Sequence, residues 1–366
     1  MAFLRSRGNS NPDSAGRVAI LRTRKLGDTI AMTPAIEAAA QAGYEVAFVC
    51  NPAFRSLFER TPFPLQLETA GRRLRISEGV RIGLRLRRWG CDYFVCQQDI
   101  RSGVAAAGVM SGARVRVGWT ARKRMGNWPS RFFTQQAVKE DMLPIHIVEA
   151  NLDVLSSALN HELGSGPLRC WADPSRVERE SEAILPREPY LVLHLGTGGS
   201  NPPLPPTAYA AIAEGLSRRS GLRLVITGDS KLAETLEGSN HLSLAGTTSL
   251  LGLAGVLQHA KALVSVDSGP VHLAASLHTP IVVVYAKKVA TPRRYHPWQA
   301  TYSAIRAEAF CEGCTEAACQ SQRTWTCADS VDPEKVVAAA LTLLHTERLP
   351  DISAASIAEQ RSDKSA

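Results

Sequence analysis

Apolar positions in this chain fall into short uninterrupted runs of strand length, separated by longer stretches with helical spacing. In the first half the runs are Arg17–Leu21, Tyr44–Cys50, Asp92–Cys96 and Arg114–Trp119, with a helical stretch from Thr29 to Ala42 between the first two. Continuous apolar character marks strands covered on both faces, and a helix between two such strands predicts a crossover joining parallel neighbours. The pattern restarts at Tyr190–Leu195, Leu222–Thr227, Ala262–Val266 and Ile281–Tyr285. Amphipathic segments at Ala208–Ser220, Ser249–His259 and Pro270–Ser276 lie between these runs, and Pro333–Leu344 reads as a late helix with proline in its first turn. The expected fold class is therefore α/β, with two domains built on open parallel sheets. A Gly-, Pro- and charge-rich stretch from Leu163 to Pro189 reads as the linker, with a short helix inside it. The expected organisation is a disordered N-terminus over 1–15, domains over 16–170 and 171–346, and a mobile tail over 347–366.

Composition supports this picture. The chain has 366 residues, 45% of them hydrophobic and 21% charged, which suits a globular protein with a sizeable core and excludes a small disulfide scaffold. It has no run of about 18 apolar residues, and its first residues are too polar for a secretory signal, so a cytoplasmic address is expected. The net charge of +8 is unevenly placed. Residues 1–170 hold 24 basic and 14 acidic side chains, a balance of +10, while the remainder is at −2. Two stretches, 71–90 and 113–131, carry +6 each, which favours an anionic partner on the first domain. Nucleic acid, an anionic membrane surface and a phosphorylated glycolipid all satisfy that charge, and no nucleic-acid recognition motif is present.

Three strand-to-helix junctions carry candidate chemistry, because ligands of open α/β sheets bind beyond the carboxyl ends of the strands. At the first, Gly27 permits a tight turn and Asp28 reads either as a helix N-cap or as a general base, with Arg22, Arg24 and Lys25 keeping it ionised and suiting an anionic acceptor. At the second, Val264–Leu273, a strand ends in Asp267, Ser268-Gly269 makes the turn and Pro270 opens a helix. Its first amides form either an ordinary helix start or an anion site for a diphosphate. The third is the glycine-rich loop His194–Asn201, including Thr197 and Gly198, which fits neither the dinucleotide fingerprint nor the Walker pattern. Finally, Cys311, Cys314, Cys319 and Cys327 place four thiols within 17 residues, equally readable as a structural zinc or iron site or as free thiols.

The sequence blocks Ile20-Leu21-Arg22, Leu26-Gly27-Asp28, Thr33-Pro34, Gly112–Gly118, Ala245–Leu250 and Asp267–Ala275 together resemble glycosyltransferase family 9, the lipopolysaccharide heptosyltransferases, over about Arg17 to Leu344. The resemblance implies a GT-B architecture, two Rossmann-like domains facing across a cleft, and inverting transfer of a heptose from ADP-heptose without a metal. Asp28 then matches the catalytic base. Ser268, Gly269 and neighbouring amides match the diphosphate cradle, Asp267 a sugar contact and His272 the motif histidine, with Thr248 lining the nucleotide pocket. The expected acceptor is a phosphorylated glycolipid contacted through Arg22, Arg24, Lys25, Arg122 and Lys123, with peripheral contact to an anionic membrane surface and no nucleic acid. In two places the chain departs from the family pattern. Pro202 occupies the position of a lysine that neutralises donor phosphates, and Ala286 replaces a glycine. Lys287 and Lys288 follow directly and supply charge from another direction, while an altered donor, a protein acceptor or a catalytically degenerate binding protein is the alternative.

Overall fold

The computed structural model describes residues 15–345 except 143, 199–200, 202, 237–240, 287–291 and 310–325. The expectations for the N-terminus and tail, and for Pro202, Lys287, Lys288, Cys311, Cys314 and Cys319, fall almost wholly outside the described residues. The described chain forms two six-stranded parallel sheets. The first contains β1 (Gly16–Leu21), β2 (Tyr44–Cys50), β3 (Leu65–Thr69), β4 (Tyr93–Asp99), β5 (Val115–Thr120) and β6 (Gln135–Val138) in the order 3-2-1-4-5-6. The second contains β7 (Tyr190–Leu195), β8 (Arg223–Gly228), β9 (His241–Ser243), β10 (Leu263–Val266), β11 (Ile281–Tyr285) and β12 (Tyr302–Arg306) in the order 12-11-10-7-8-9. Counted within its own half, each has the doubly wound order, with a switch point between β1 and β4 and between β7 and β10.

All eight apolar runs are strands, and the four strands without such a run are the four sheet edges. Central strands are buried nearly end to end, whereas β3 is half-buried throughout and β12 alternates between exposed and half-buried. An edge strand pairs on one side only, so it needs no continuous apolar sequence and leaves a weaker pattern.

The helices are α1 (Leu26–Ile30), α2 (Thr33–Gln41), α3 (Ile76–Trp89), α4 (Ser102–Met110), α5 (Ile147–Leu159), α6 (Pro174–Ser181), α7 (Pro206–Arg219), α8 (Ser230–Ala233), α9 (Leu250–His259), α10 (Gly269–Ser276) and α11 (Pro292–Tyr295), followed by Thr326–Asp329 and Pro333–Leu344. The expected single helix from Thr29 to Ala42 is instead two, because Pro34 has no N–H for the Ile30 carbonyl. The Thr33 hydroxyl donates to that carbonyl at 2.8 Å and so closes the break. The arginine-rich stretch 71–90 becomes α3, with Leu86 buried and its arginines exposed.

The expected linker is firmly packed. Trp171 is buried and meets Phe63 edge-on at 5.5 Å, while its amide and carbonyl bond Leu57 O and Arg60 N, each at 2.8 Å. One apolar cluster consequently runs from Val18 and Ile20 of β1 through Trp171 to Val192 and Leu263 of the second sheet.

Candidate active site where two helix starts meet

At the first switch point β1 hands over to α1 through Arg22–Lys25, and Gln98 at the end of β4 accepts from the Thr23 amide at 3.0 Å. Helix α1 starts earlier than the capping reading of Asp28 requires. Lys25 is its N-cap, in the left-handed region at φ 47°, and Asp28 lies in the first turn. Strain of this kind at a non-glycine residue persists only where surrounding structure over-determines it. Freed from capping, the Asp28 carboxylate binds the Arg22 guanidinium, Oδ2 to Nη2 at 2.6 Å, with the two side chains 14% and 8% exposed. Burial alone raises the Asp28 pKa, but the charges of Arg22 and Lys25 outweigh it and hold the carboxyl below its ordinary value.

Arg22 is in turn stacked over Trp119, its guanidinium carbon 5.5 Å from the ring centroid. Arg294 of the second half approaches the same indole at 6.0 Å and is 2% exposed. It donates to the carbonyls of Met142 and of Ile145, the latter at 3.2 Å, and its Nε to the Tyr295 hydroxyl at 3.3 Å. Among the described residues, Arg22 Nε and Trp119 Nε1 are buried donors without a hydrogen-bond partner. Buried donors in that condition are costly unless a ligand or water satisfies them.

At the second switch point the loop after β7 reaches across to the end of β10. Asn201 Nδ2 donates to Asp267 Oδ2 at 2.9 Å and to the Asp267 carbonyl at 2.5 Å. Thr197 Oγ1 donates to the Asn201 carbonyl at 2.7 Å, and Gly196 takes φ +78° to turn the chain there. Ser268 is the N-cap of α10 yet makes no side-chain cap, its hydroxyl lying 3.1 Å from that of Ser265. The first turn of α10 thus presents its amides without a side-chain acceptor, the arrangement that receives an anion.

These two helix starts pack against each other. A Cβ on Gly27 would overlap the His272 ring, and one on Gly269 would lie 2.9 Å from the Leu26 Cβ, so each helix supplies a glycine where the other needs room. His272 is buried, its pKa lowered to about 4 by burial against the opposing pull of Asp28. Beside this contact, His146 Nδ1 accepts the Val148 amide at 3.2 Å, which leaves Nε2–H to donate to the His296 carbonyl at 3.0 Å. Trp298 stacks on His146 at 4.5 Å. Asp28 and the Asp267–His272 block, 240 residues apart in sequence, are therefore parts of one locus.

The model of glycosyltransferase family 9 (heptosyltransferase) matches residues 81–324, about two thirds of the chain. The chain belongs to glycosyltransferase family 9. Lipopolysaccharide heptosyltransferase 3 of Escherichia coli is 24% identical over 201 residues, 47% of this chain and 53% of that protein, so the chain spans about half the length of the curated relative it matches. Among solved structures, a family 9 glycosyltransferase from Veillonella parvula has a TM-score of 0.75 at 18% identity, covering 92% of this chain and 99% of its own. The Escherichia coli ADP-heptose lipopolysaccharide heptosyltransferase II has a TM-score of 0.66 at 18% identity, covering 90% and 98%. The fold is the GT-B arrangement, two Rossmann-like sheets facing across a cleft.

In this family 9 chain the expected site residues divide by place. Asp28, Arg22 and Lys25 cluster at the end of β1, and Arg24 pairs with Asp99 at 3.6 Å beside them. Asp267, Ser268, Gly269, Pro270 and His272 cluster at the start of α10, with Thr197 linked to them through Asn201. Gly198 is exposed and Thr248 is half-buried just ahead of α9. Arg122 and Lys123 are exposed on a short turn, Arg122 paired with Asp141. Of the four expected metal-ligand cysteines only Cys327 is described, a buried free thiol, and no metal-holding group of three or more side chains occurs among the described residues. Sequence reasoning missed Arg294, Trp119, His146 and His296. Trp119 stood only as the last residue of the apolar run Arg114–Trp119, and nothing in the local pattern singled out the other three.

Proposed function

We propose that this chain is an inverting glycosyltransferase that transfers a heptose or related sugar from an ADP-sugar to an anionic acceptor of the lipopolysaccharide-core type. The observation that carries the reading is the ionised Asp28 carboxylate, held by Arg22 in the first turn of α1, a helix whose Leu26 and Gly27 pack against the start of α10. In the reaction, an acceptor hydroxyl oxygen forms the new bond to the anomeric carbon, the bond from that carbon to the ADP oxygen breaks, and the hydroxyl proton passes to Asp28. The α10 amides receive the departing diphosphate and Asp267, held by Asn201, accepts from donor hydroxyls. Lys287 and Lys288 supply cationic charge to the same diphosphate in place of the lysine replaced by Pro202. The unpartnered Arg22 Nε and Trp119 Nε1 are donors for the acceptor on the other side, where Arg24, Lys25, Arg122 and Lys123 add positive charge. No helix among the described residues is long and apolar enough to cross a membrane. A cytoplasmic location with the acceptor met at the membrane surface belongs to this reading, as does a structural zinc or iron held by Cys311, Cys314, Cys319 and Cys327.

Single-turnover transfer from ADP-heptose to a deacylated, phosphorylated core acceptor tests it. Asp28→Ala is expected to lower the rate by about 10²–10⁴-fold, the usual worth of a general base. Unchanged transfer would remove Asp28 from the mechanism. Pro202 favours one second reading, a sugar-nucleotide or glycolipid binder without activity, and ADP binding with no transfer to any acceptor would select it.

A further inference from the structure

Residues 121–133 form the most unusual surface of the first half. Trp128 is 61% exposed, Met125 49% and Phe132 37%, and the Trp128 and Phe132 rings meet edge-to-face at 5.3 Å. These are half of the large apolar side chains that are exposed among the described residues, gathered within eight positions. Arg122, Lys123, Arg124 and Arg131 are interleaved with them. Arg122 is paired with Asp141 and its amide with Glu140 at 2.9 Å. Among the described residues no ion pair is recorded for Lys123, Arg124 or Arg131.

The segment is held in place from beneath. Arg116 Nε donates to the Phe132 carbonyl at 2.6 Å, Gln136 Nε2 to the Ser130 carbonyl at 3.0 Å, and Arg131 Nε to the Gly126 carbonyl at 2.8 Å. Its inner side, through Arg124, Asn127 and Ser130, forms one wall of a cavity of about 310 Å³ against the start of α4. The aromatic side chains are thus presented outward by a structured turn. That turn follows the carboxyl end of β5, the same sheet edge that carries Asp28 beyond β1.

We infer that residues 121–133 dock this protein on an anionic lipid bilayer, with Trp128, Phe132 and Met125 entering the headgroup region and the exposed Lys123 and Arg131 meeting lipid phosphates. Apolar rings beside cations that have no ion pair complement such a surface in both respects: the rings gain by leaving water, and the cations are attracted to an anionic leaflet. Docking through this turn directs the Asp28 edge toward the lipid. The inference rests on the proposed reading that the acceptor is lipid-linked, and it names the surface that brings the site to it.

Flotation with phosphatidylcholine vesicles, with and without phosphatidylglycerol, tests the assignment. The natural protein is expected to float with the anionic vesicles only, and high salt to release it. Trp128→Ala combined with Phe132→Ala is expected to weaken binding roughly ten-fold or more, and Arg131→Glu to weaken it several-fold. The double variant alters exposed side chains that make no hydrogen bond through their rings, so its thermal midpoint and transfer to the soluble deacylated acceptor are expected to stay unchanged. Absence of vesicle binding by the natural protein, or full binding by the double variant, overturns the inference. So does a natural dimer that the double variant converts to a monomer, since the patch is then covered by a second copy. Loss of transfer to the soluble acceptor by the natural protein would instead strike the proposed function, leaving vesicle binding as an independent result.

Discussion

Arg22 controls the protonation of Asp28. The carboxylate is nearly buried, and burial by itself raises its pKa; Arg22 and Lys25 reverse the direction. In Arg22→Gln the burial contribution is opposed by Lys25 but no longer by Arg22, so the acid limb of the kcat/KM profile should move upward from below the ordinary carboxylate range, alongside a fall in the plateau rate. A pH–rate profile of the variant checks this, and an unshifted acid limb would detach Arg22 from the base. Asp28 itself was legible in the sequence because a Gly-Asp pair at a strand-to-helix handover stands in a recognisable local pattern. Arg294 was not, because what makes it notable is burial against Trp119 and the Met142 carbonyl, contacts made by chain more than 150 residues away. Local pattern carries no information about such a partner.

Between elements, the decisive contact is α1 against α10. Replacing Gly27 by Ala places a methyl group in the His272 ring, and the helices must separate or the imidazole must move. A destabilisation of about 1–3 kcal/mol is expected from overpacking of this kind, read as a lower urea midpoint. Transfer should fall further than stability accounts for, with ADP affinity less affected than kcat, because on the proposed mechanism the change displaces Asp28 relative to the start of α10. The strands that bear these helices were readable from their apolar runs, since β1, β4, β7 and β10 are central and buried on both faces. The edges β3, β6, β9 and β12 were not, because half-covered strands are built from mixed sequence. The break at Pro34 shows the same limit on a smaller scale: periodicity alone continued across a residue whose missing N–H ends the hydrogen-bond ladder.

At the level of the whole molecule, the buried His146 and His272 and the half-buried His194 make folding sensitive to acid. Burial is the main cause lowering the pKa values of His146 to about 3 and of His194 and His272 to about 4, so all three are neutral in the native state at neutral pH. In the unfolded chain each titrates near its ordinary value of 6.5. Between about pH 6.5 and about pH 4 the unfolded state therefore binds protons that the native state refuses, and stability declines across that window as the solution is acidified. Urea unfolding at about pH 7.5 and about pH 5 should show a lower midpoint at the acidic value, and His194→Gln should flatten the difference; equal midpoints for the natural protein would show that these side chains are not buried neutral. Two of the three lie beside the junction between the sheets, so the loss concerns the relation of the halves as well as each core.

The glycine exchange between α1 and α10 has one further consequence, and it concerns energy passed between ligands. A nucleotide that orders the first turn of α10 also orders the surface on which α1 rests. By thermodynamic reciprocity, whatever free energy the nucleotide thereby contributes to acceptor binding, the acceptor must return in full to nucleotide binding. Two half-sites on separate sheets would fill independently. On the proposed reading, half-sites joined through Gly27 and Gly269 fill as a coupled pair, and an occupied donor site becomes a reason for the acceptor to stay.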